Sequence, residues 1–134
     1  MTKADKWTAL ENWLEDAKVA FQIQDWEIVV LRDAAEIDAH ADIDVSTQRN
    51  SAQLRVQRDF FDLTPEKQRL VLCHELGHII TSRADNVVES LEHVLGKMSW
   101  STFDPNYVDA SERMVEHYAR IIAPTMPLPK LPKK

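Results

Sequence analysis

The chain has 134 residues, of which 44% are hydrophobic and 28% charged, the size and composition of one domain with its own core. The formal net charge is −6, from 22 Asp and Glu against 16 Lys and Arg, which argues against nonspecific nucleic-acid binding. A single cysteine excludes an internal disulfide and a zinc cage built from cysteines. Apolar runs reach about four residues, against the roughly 20 that a membrane span requires. Because the N-terminus also lacks the apolar core of a signal peptide, we expect a cytoplasmic protein.

The N-terminal part predicts a helix followed by strands. The first 22 residues read as an amphipathic helix, because large apolar side chains recur there at helical spacing. Residues 26–31 are β-branched and apolar, which is typical of a buried strand. Residues 39–46 and 52–57 alternate apolar and polar side chains, which predicts two further strands joined by a turn at 48–51.

The C-terminal part predicts helices and a tail. Thr64 can cap a helix whose first residue is Pro65, and we expect this helix to run to about Arg83. A shorter helix is predicted to end near Gly96, followed by a loop over Lys97–Asn106 and a last helix over Tyr107–Ile122. The Pro- and Lys-rich tail over 125–134 is expected to be extended or disordered, with its lysines solvated. One α+β domain over 1–124 follows, with a small, mostly antiparallel three-stranded sheet.

The motif His74-Glu75-Leu76-Gly77-His78 falls inside the helix that begins at Pro65. Residues four apart lie on one face of a helix, so the two imidazoles can bind one zinc ion. Glu75 then lies about 100° round the helix, where it can reach a water beside the metal. The alternative is a helix with two partly exposed histidines and a surface carboxylate; the cost of a mid-helix glycine weighs against it.

The last predicted helix offers the third protein ligand that a catalytic zinc site requires. Glu112 and Glu116 are four residues apart and therefore share a face. One can bind the metal, and the other can accept the free N–H of a ligating histidine. Alone, two exposed carboxylates would be the simpler interpretation; beside the histidine motif, a metal site is favoured.

The chain resembles the ImmA/IrrE-type metallopeptidases, small zincins of the gluzincin kind, over about Thr64–Pro124. The resemblance rests on the histidine motif and on the helix that contains Glu112-Arg-Met-Val-Glu116. It implies that His74, His78 and Glu112 bind one Zn²⁺ and that Glu75 is the general base. Glu116 stands where the family commonly has Asn or Asp, and Val115 where it has Ala. The implied function is hydrolysis of a specific protein substrate, such as a repressor, without nucleic-acid or membrane partners.

Further roles follow from zincin chemistry. Zincins bind substrate as an added strand at a sheet edge, and the strand at 52–57 is the candidate edge because it precedes the metal-binding helix most closely. A group that stabilises the oxyanion is also expected. Tyr107, His93 and His117 are candidates by residue type, and Tyr107 is favoured because it lies at a predicted loop-to-helix junction that could overhang the site.

Other clusters and functions fit the sequence less well. A second metal site at His40, Asp42 and Asp44 is disfavoured, because successive side chains on one strand face are ~7 Å apart. Cys73 is interpreted as a core residue. The rival functions are a zinc-bound interaction module without proteolytic activity and a metal-free helical interaction domain.

Overall fold

The fold is α+β, with one N-terminal helix, a three-stranded sheet and two long helices. The computed structural model describes residues 5–32 and 38–133, so the predicted helical residues 1–4 and Lys134 of the tail lie outside the described residues. The helices are α1 (Lys6–Ala20), α2 (Pro65–Glu89), α3 (Glu92–Leu95) and α4 (Lys97–Ile122), and the strands are β1 (Glu27–Leu31), β2 (Ala41–Ser46) and β3 (Ser51–Val56). Two 3-10 turns lie at Arg58–Asp62 and Ala123–Thr125.

Helix α1 confirms the predicted amphipathic helix within the described residues. The Asp5 side chain accepts a hydrogen bond from the Thr8 backbone N–H at 2.7 Å, which caps the helix start. Its buried face packs into a core shared with the sheet, the Phe60–Phe61 turn and one face of α2. This face consists of Leu10, Trp13, Leu14 and Ala17.

The sheet has the order β1-β3-β2, and this corrects three expectations. Strand β3 pairs in parallel with β1 and antiparallel with β2, so the sheet is mixed and not mostly antiparallel. Strand β1 is an edge strand in which Val30 alone is buried, so the prediction of a buried strand was wrong. Strand β3 lies in the centre, so the assignment of 52–57 as the substrate-binding edge was also wrong.

The two long helices exceed their predicted bounds. Helix α2 begins at Pro65, capped by Thr64 as predicted, but continues past Arg83 to Glu89. The predicted helix before Gly96 is reduced to the single turn α3, since residues 87–89 belong to α2. The loop predicted over Lys97–Asn106 is wrong: α4 already begins at Lys97 and contains Pro105. Gly96, with φ +81°, provides the left-handed backbone that separates α3 from α4.

The tail packs against the core through Met126 and Leu131. Met126 and Pro129 are buried, and Lys130 is exposed. Trp13 donates its indole N–H to the Pro127 carbonyl at 2.9 Å. Among the described residues, no helix combines the length and apolar character needed to cross a membrane.

Candidate metal centre

Two histidines of α2 and a carboxylate of α4 converge on one point. The Nε2 atoms of His74 and His78 are 3.2 Å apart. The Glu112 carboxylate places Oε2 3.2 Å from His74 Nε2 and Oε1 3.3 Å from His78 Nε2. The structure therefore brings together the three residues predicted as metal ligands.

The donor set and its spacing fit a metal ion. Zinc takes His nitrogen and carboxylate oxygen ligands at about 2.0–2.2 Å in tetrahedral geometry, which places neighbouring donor atoms roughly 3.3 Å apart. The ligand atoms of His74, His78 and Glu112 have this spacing, and the group could hold a metal ion. Burial lowers the pKa of His78, which favours the neutral imidazole that a metal requires.

Glu116 orients one of the two histidines. Its Oε2 lies 2.8 Å from His74 Nδ1, on the side of the ring opposite the converging Nε2 atoms. A carboxylate there accepts the Nδ1–H and leaves the Nε2 lone pair directed at the metal point. Arg120, one turn along α4, donates its Nε–H to the other Glu116 oxygen at 3.2 Å. The Glu116 side chain thus reaches the histidine directly.

Close packing of α4 on α2 places Glu112 beside the histidines. Gly77 lies between the two histidines on α2 and faces Val115, which is buried on α4. A Cβ atom at residue 77 would lie 2.9 Å from Val115 Cγ1, closer than ordinary contacts allow. The absence of a side chain at residue 77 is therefore what lets α4 approach.

Glu75 is a buried carboxylate in the wall of a cleft beside the metal-binding residues. Glu75 is 8% exposed and lines a cleft of about 480 Å³ together with His74, His78 and Glu112. Burial, with the negative charges of Glu112 and Asp42 adding to it, raises the pKa of Glu75 to about 8. Among the described residues, none donates a hydrogen bond to its carboxylate. The group is thus open to a molecule in the cleft.

Strand β2 forms the opposite wall of this cleft. Ala41, Ile43 and Val45 line it, and β2 is an edge strand of the sheet. Within the described part of the chain, β2 pairs only with β3, so its other edge is open. The strand suited to receive an added strand at this site is therefore β2, in place of β3.

Asp85 is a site residue that the sequence reading missed. Its carboxylate accepts three hydroxyl hydrogen bonds beside the histidine pair, from Thr81 of α2 and from Tyr107 and Ser111 of α4, at 2.9, 2.7 and 3.2 Å. The available indication was its spacing, since Asp85 lies two helical turns after His78 on the same face. The cluster links α2 to α4 next to the metal-binding residues.

Tyr107 lies inside α4 and not at the loop-to-helix junction that was expected. It borders a small cavity shared with His78 and Glu112. The hydrogen bond to Asp85 raises the pKa of its hydroxyl. Its position beside the site fits the expectation of an oxyanion-stabilising group, but the hydroxyl proton is already donated to Asp85.

The remaining candidates do not belong to the group of possible metal ligands. His93 and His117 are exposed, on α3 and on α4 respectively. His40 pairs with Asp59 at 3.3 Å, and the group of His74, His78 and Glu112 is the one possible metal cluster in the described residues. Cys73 is buried, as expected of a core residue, and burial raises the pKa of its thiol to about 11.

Comparison of the chain with protein-family models, with curated proteins and with solved structures finds no match. The interpretation of the site accordingly depends on its residues and their geometry.

Proposed function

We propose that the protein is a zinc-dependent endopeptidase that binds one Zn²⁺ per chain through His74, His78 and Glu112. The observation that carries this proposal is the convergence of three ligand atoms beside Glu75. The Glu75 carboxylate is buried and accepts no hydrogen bond from a described residue. A purely structural zinc site has four protein ligands, whereas a catalytic one keeps a position for water. Three protein donors at the wall of a cleft match the catalytic pattern.

When bound, a zinc ion would polarise a peptide carbonyl and lower the pKa of an adjacent water. Glu75 accepts the proton of the attacking water and returns it to the amine of the departing peptide. Glu116 keeps His74 in one tautomer during this cycle, through the contact at Nδ1.

The open edge of β2 is the proposed site for the substrate backbone. An extended peptide that pairs with β2 would lie along the cleft, with alternate carbonyl groups directed towards β2 and the others directed away from it. The apolar side chains of β2 that line the cleft leave room for side chains of this peptide. The proposed substrate is then an extended, accessible segment of a specific protein, such as a repressor.

The first test is metal content, measured by elemental analysis of purified protein and of three variants. We expect about one zinc per wild-type chain, loss of zinc in Glu112→Ala and His78→Ala, and retention of zinc in Glu75→Gln. Normal zinc content in Glu112→Ala would contradict the ligand assignment. Absence of zinc from wild type even after reloading would remove the basis of the proposal.

The second test is cleavage of a peptide library, read by mass spectrometry. Zinc-loaded wild type is expected to produce cleavage products that the zinc-loaded Glu75→Gln variant does not. Equal cleavage by both would show that Glu75 is not the base. Full zinc content with no cleavage, including of unfolded proteins, would favour the rival function of a zinc-bound interaction module.

A further inference from the structure

Residues 83–110 form a helical arm that has no buried residue. The arm comprises the end of α2, all of α3 and the first half of α4. None of its 28 residues is buried, whereas Ser82 just before it and Val115 just after it are. The arm therefore projects from the core and contributes almost nothing to it.

Large apolar side chains are exposed along the arm. Seven of its large apolar side chains are exposed, and the most exposed are Met98 at 87%, Val94 at 78% and Val87 at 68%. Exposed apolar residues scattered singly are ordinary, whereas seven within 28 residues make the arm a candidate interaction surface.

The arm also carries an excess of negative charge. It contains five acidic residues against the two basic residues Arg83 and Lys97, a net charge of −3 and so half of the net charge of the chain. Opposite charge on a partner would be attracted to this surface, and two copies of the arm would repel each other. The charge thus favours a basic partner over a second copy.

Ring contacts and hydrogen bonds connect the residues of the arm. The rings of Trp100, Phe103 and Tyr107 lie in a row along α4, with centroids 5.9 and 6.0 Å apart. The Tyr107 hydroxyl and the Ser111 hydroxyl anchor this row to Asp85 of α2. A surface ordered before binding loses less conformational entropy when a partner docks.

We propose that the helical arm is a docking surface for a basic amphipathic polypeptide segment. Apolar side chains of the segment would cover Val87, Val94 and Met98, and its Lys or Arg residues would meet the carboxylates of the arm. The base of the arm borders the metal site, where Val88 and Val108 share a cavity with His78. The docked segment would lie next to the cleft. Binding requires neither metal nor cleavage, so this inference stands apart from the proposed peptidase activity.

The test is fluorescence anisotropy with the full-length chain and labelled helical peptides of about 18 residues, whose Leu and Lys occupy opposite faces. A peptide with Glu in place of Lys is the charge control, and mass spectrometry verifies that the peptides stay intact. We expect the Lys peptide to bind about tenfold more tightly than the Glu peptide, with a difference that shrinks as salt rises. Equal binding of both peptides would overturn the proposal.

Matched variants locate the binding surface. Val94→Ser with Met98→Ser should weaken binding of the Lys peptide about tenfold. Val19→Ser with Ile121→Ser changes two similarly exposed apolar residues outside the arm and should leave binding within about twofold. Circular dichroism checks that both variants fold. Equal loss in the two double variants would overturn the proposal.

Charge reversal and oligomeric state complete the test. Glu89→Lys with Glu92→Lys should weaken binding more than Asp16→Lys with Glu27→Lys, which changes the net charge equally but outside the arm. Light scattering measures whether the chain is a dimer. A dimer that Val94→Ser with Met98→Ser converts to a monomer would show that a second copy covers the arm, against the proposal.

Discussion

Glu116 is the residue whose role can be separated most cleanly from that of the metal ligands. It contacts His74 at Nδ1 and does not contribute to the converging donor atoms. Loss of a hydrogen bond to a ligating histidine typically lowers metal affinity about 10- to 100-fold. We therefore expect Glu116→Ala to bind zinc at the same stoichiometry as wild type but with an affinity lower by that factor, measured by competition with a chromophoric chelator.

The conservative variant supplies the control. Glu116→Gln keeps an oxygen that can accept the Nδ1–H of His74, so most of the zinc affinity should return. Removal of the neighbouring carboxylate Asp109, which pairs with Arg113 on the exposed side of α4, should leave zinc affinity unchanged. If Glu116→Ala bound zinc as tightly as wild type, the contact at Nδ1 would not orient the ligand.

The sequence predicted those site residues whose spacing places them on one face of the same helix. His74, Glu75 and His78 lie within five residues, and Glu112 and Glu116 are one turn apart, so each set is visible locally. Asp85 was missed because its importance depends on hydroxyl groups of α4, which is distant in sequence.

Packing of α4 on α2 determines whether the histidines and the glutamates meet. Gly77 of α2 lies against Val115 of α4 in this contact. Gly77→Ala would gain up to about 1 kcal/mol in helix propensity. The new methyl group would lie 2.9 Å from Val115 Cγ1, and overpacking of this kind costs about 1–3 kcal/mol. Because β-branched Val115 cannot easily rotate away, we expect net destabilisation by roughly 1 kcal/mol, together with weaker zinc binding. Urea denaturation and chelator competition measure the two effects.

A double-mutant cycle distinguishes this contact from a general effect of alanine. In the Val115→Ala background the methyl group of residue 77 has space. Gly77→Ala should then stabilise the protein, by up to about 1 kcal/mol, so the substitution changes sign between the two backgrounds. The same sign in both backgrounds would mean that Gly77 and Val115 do not limit the approach of α4.

Helices and strands with strong local patterns were predicted, and those that depend on distant contacts were not. The segment Lys97–Asn106 looked like a loop because it contains Ser, Thr, Asn and Pro105, all weak helix formers. Its helical state is supported by the aromatic row of Trp100, Phe103 and Tyr107, spaced by three and four residues. This spacing was present in the sequence, but the polar residues outweighed it.

The order of strands in the sheet depends on the whole molecule, and the alternation of apolar and polar side chains along a strand does not predict it. The pattern at 52–57 correctly indicated a strand, yet it is equally compatible with an edge or a central position. The parallel pairing of β1 with β3 places β3 in the centre and leaves β2 open beside α2. The proposed substrate edge therefore follows from topology, and only the identity of the metal-binding residues follows from local sequence.

The C-terminal tail shows how far distant contacts extend the core beyond the helices. Deletion of residues 126–134 would remove buried Met126 and Pro129, and would leave the indole N–H of Trp13 without the Pro127 carbonyl. It would also remove the Met126 carbonyl that Arg69 contacts at 2.8 Å. Burial of a Met side chain contributes about 1.5–3 kcal/mol, and an unsatisfied buried donor costs about 1–3 kcal/mol. We expect a loss of about 3 kcal/mol or more in the free energy of unfolding, measured by urea denaturation.

Two smaller changes identify which part of the tail is responsible. Removal of residues 133–134 alone should change stability by less than about 0.5 kcal/mol, because Lys133 is exposed. Met126→Ala should reproduce a large part of the loss, about 2 kcal/mol or more, since it empties a buried position while leaving the backbone carbonyls in place. If the deletion of residues 126–134 unfolded at the same urea concentration as the full chain, the tail would not belong to the core, and Trp13 and Arg69 would satisfy their donors equally well with water.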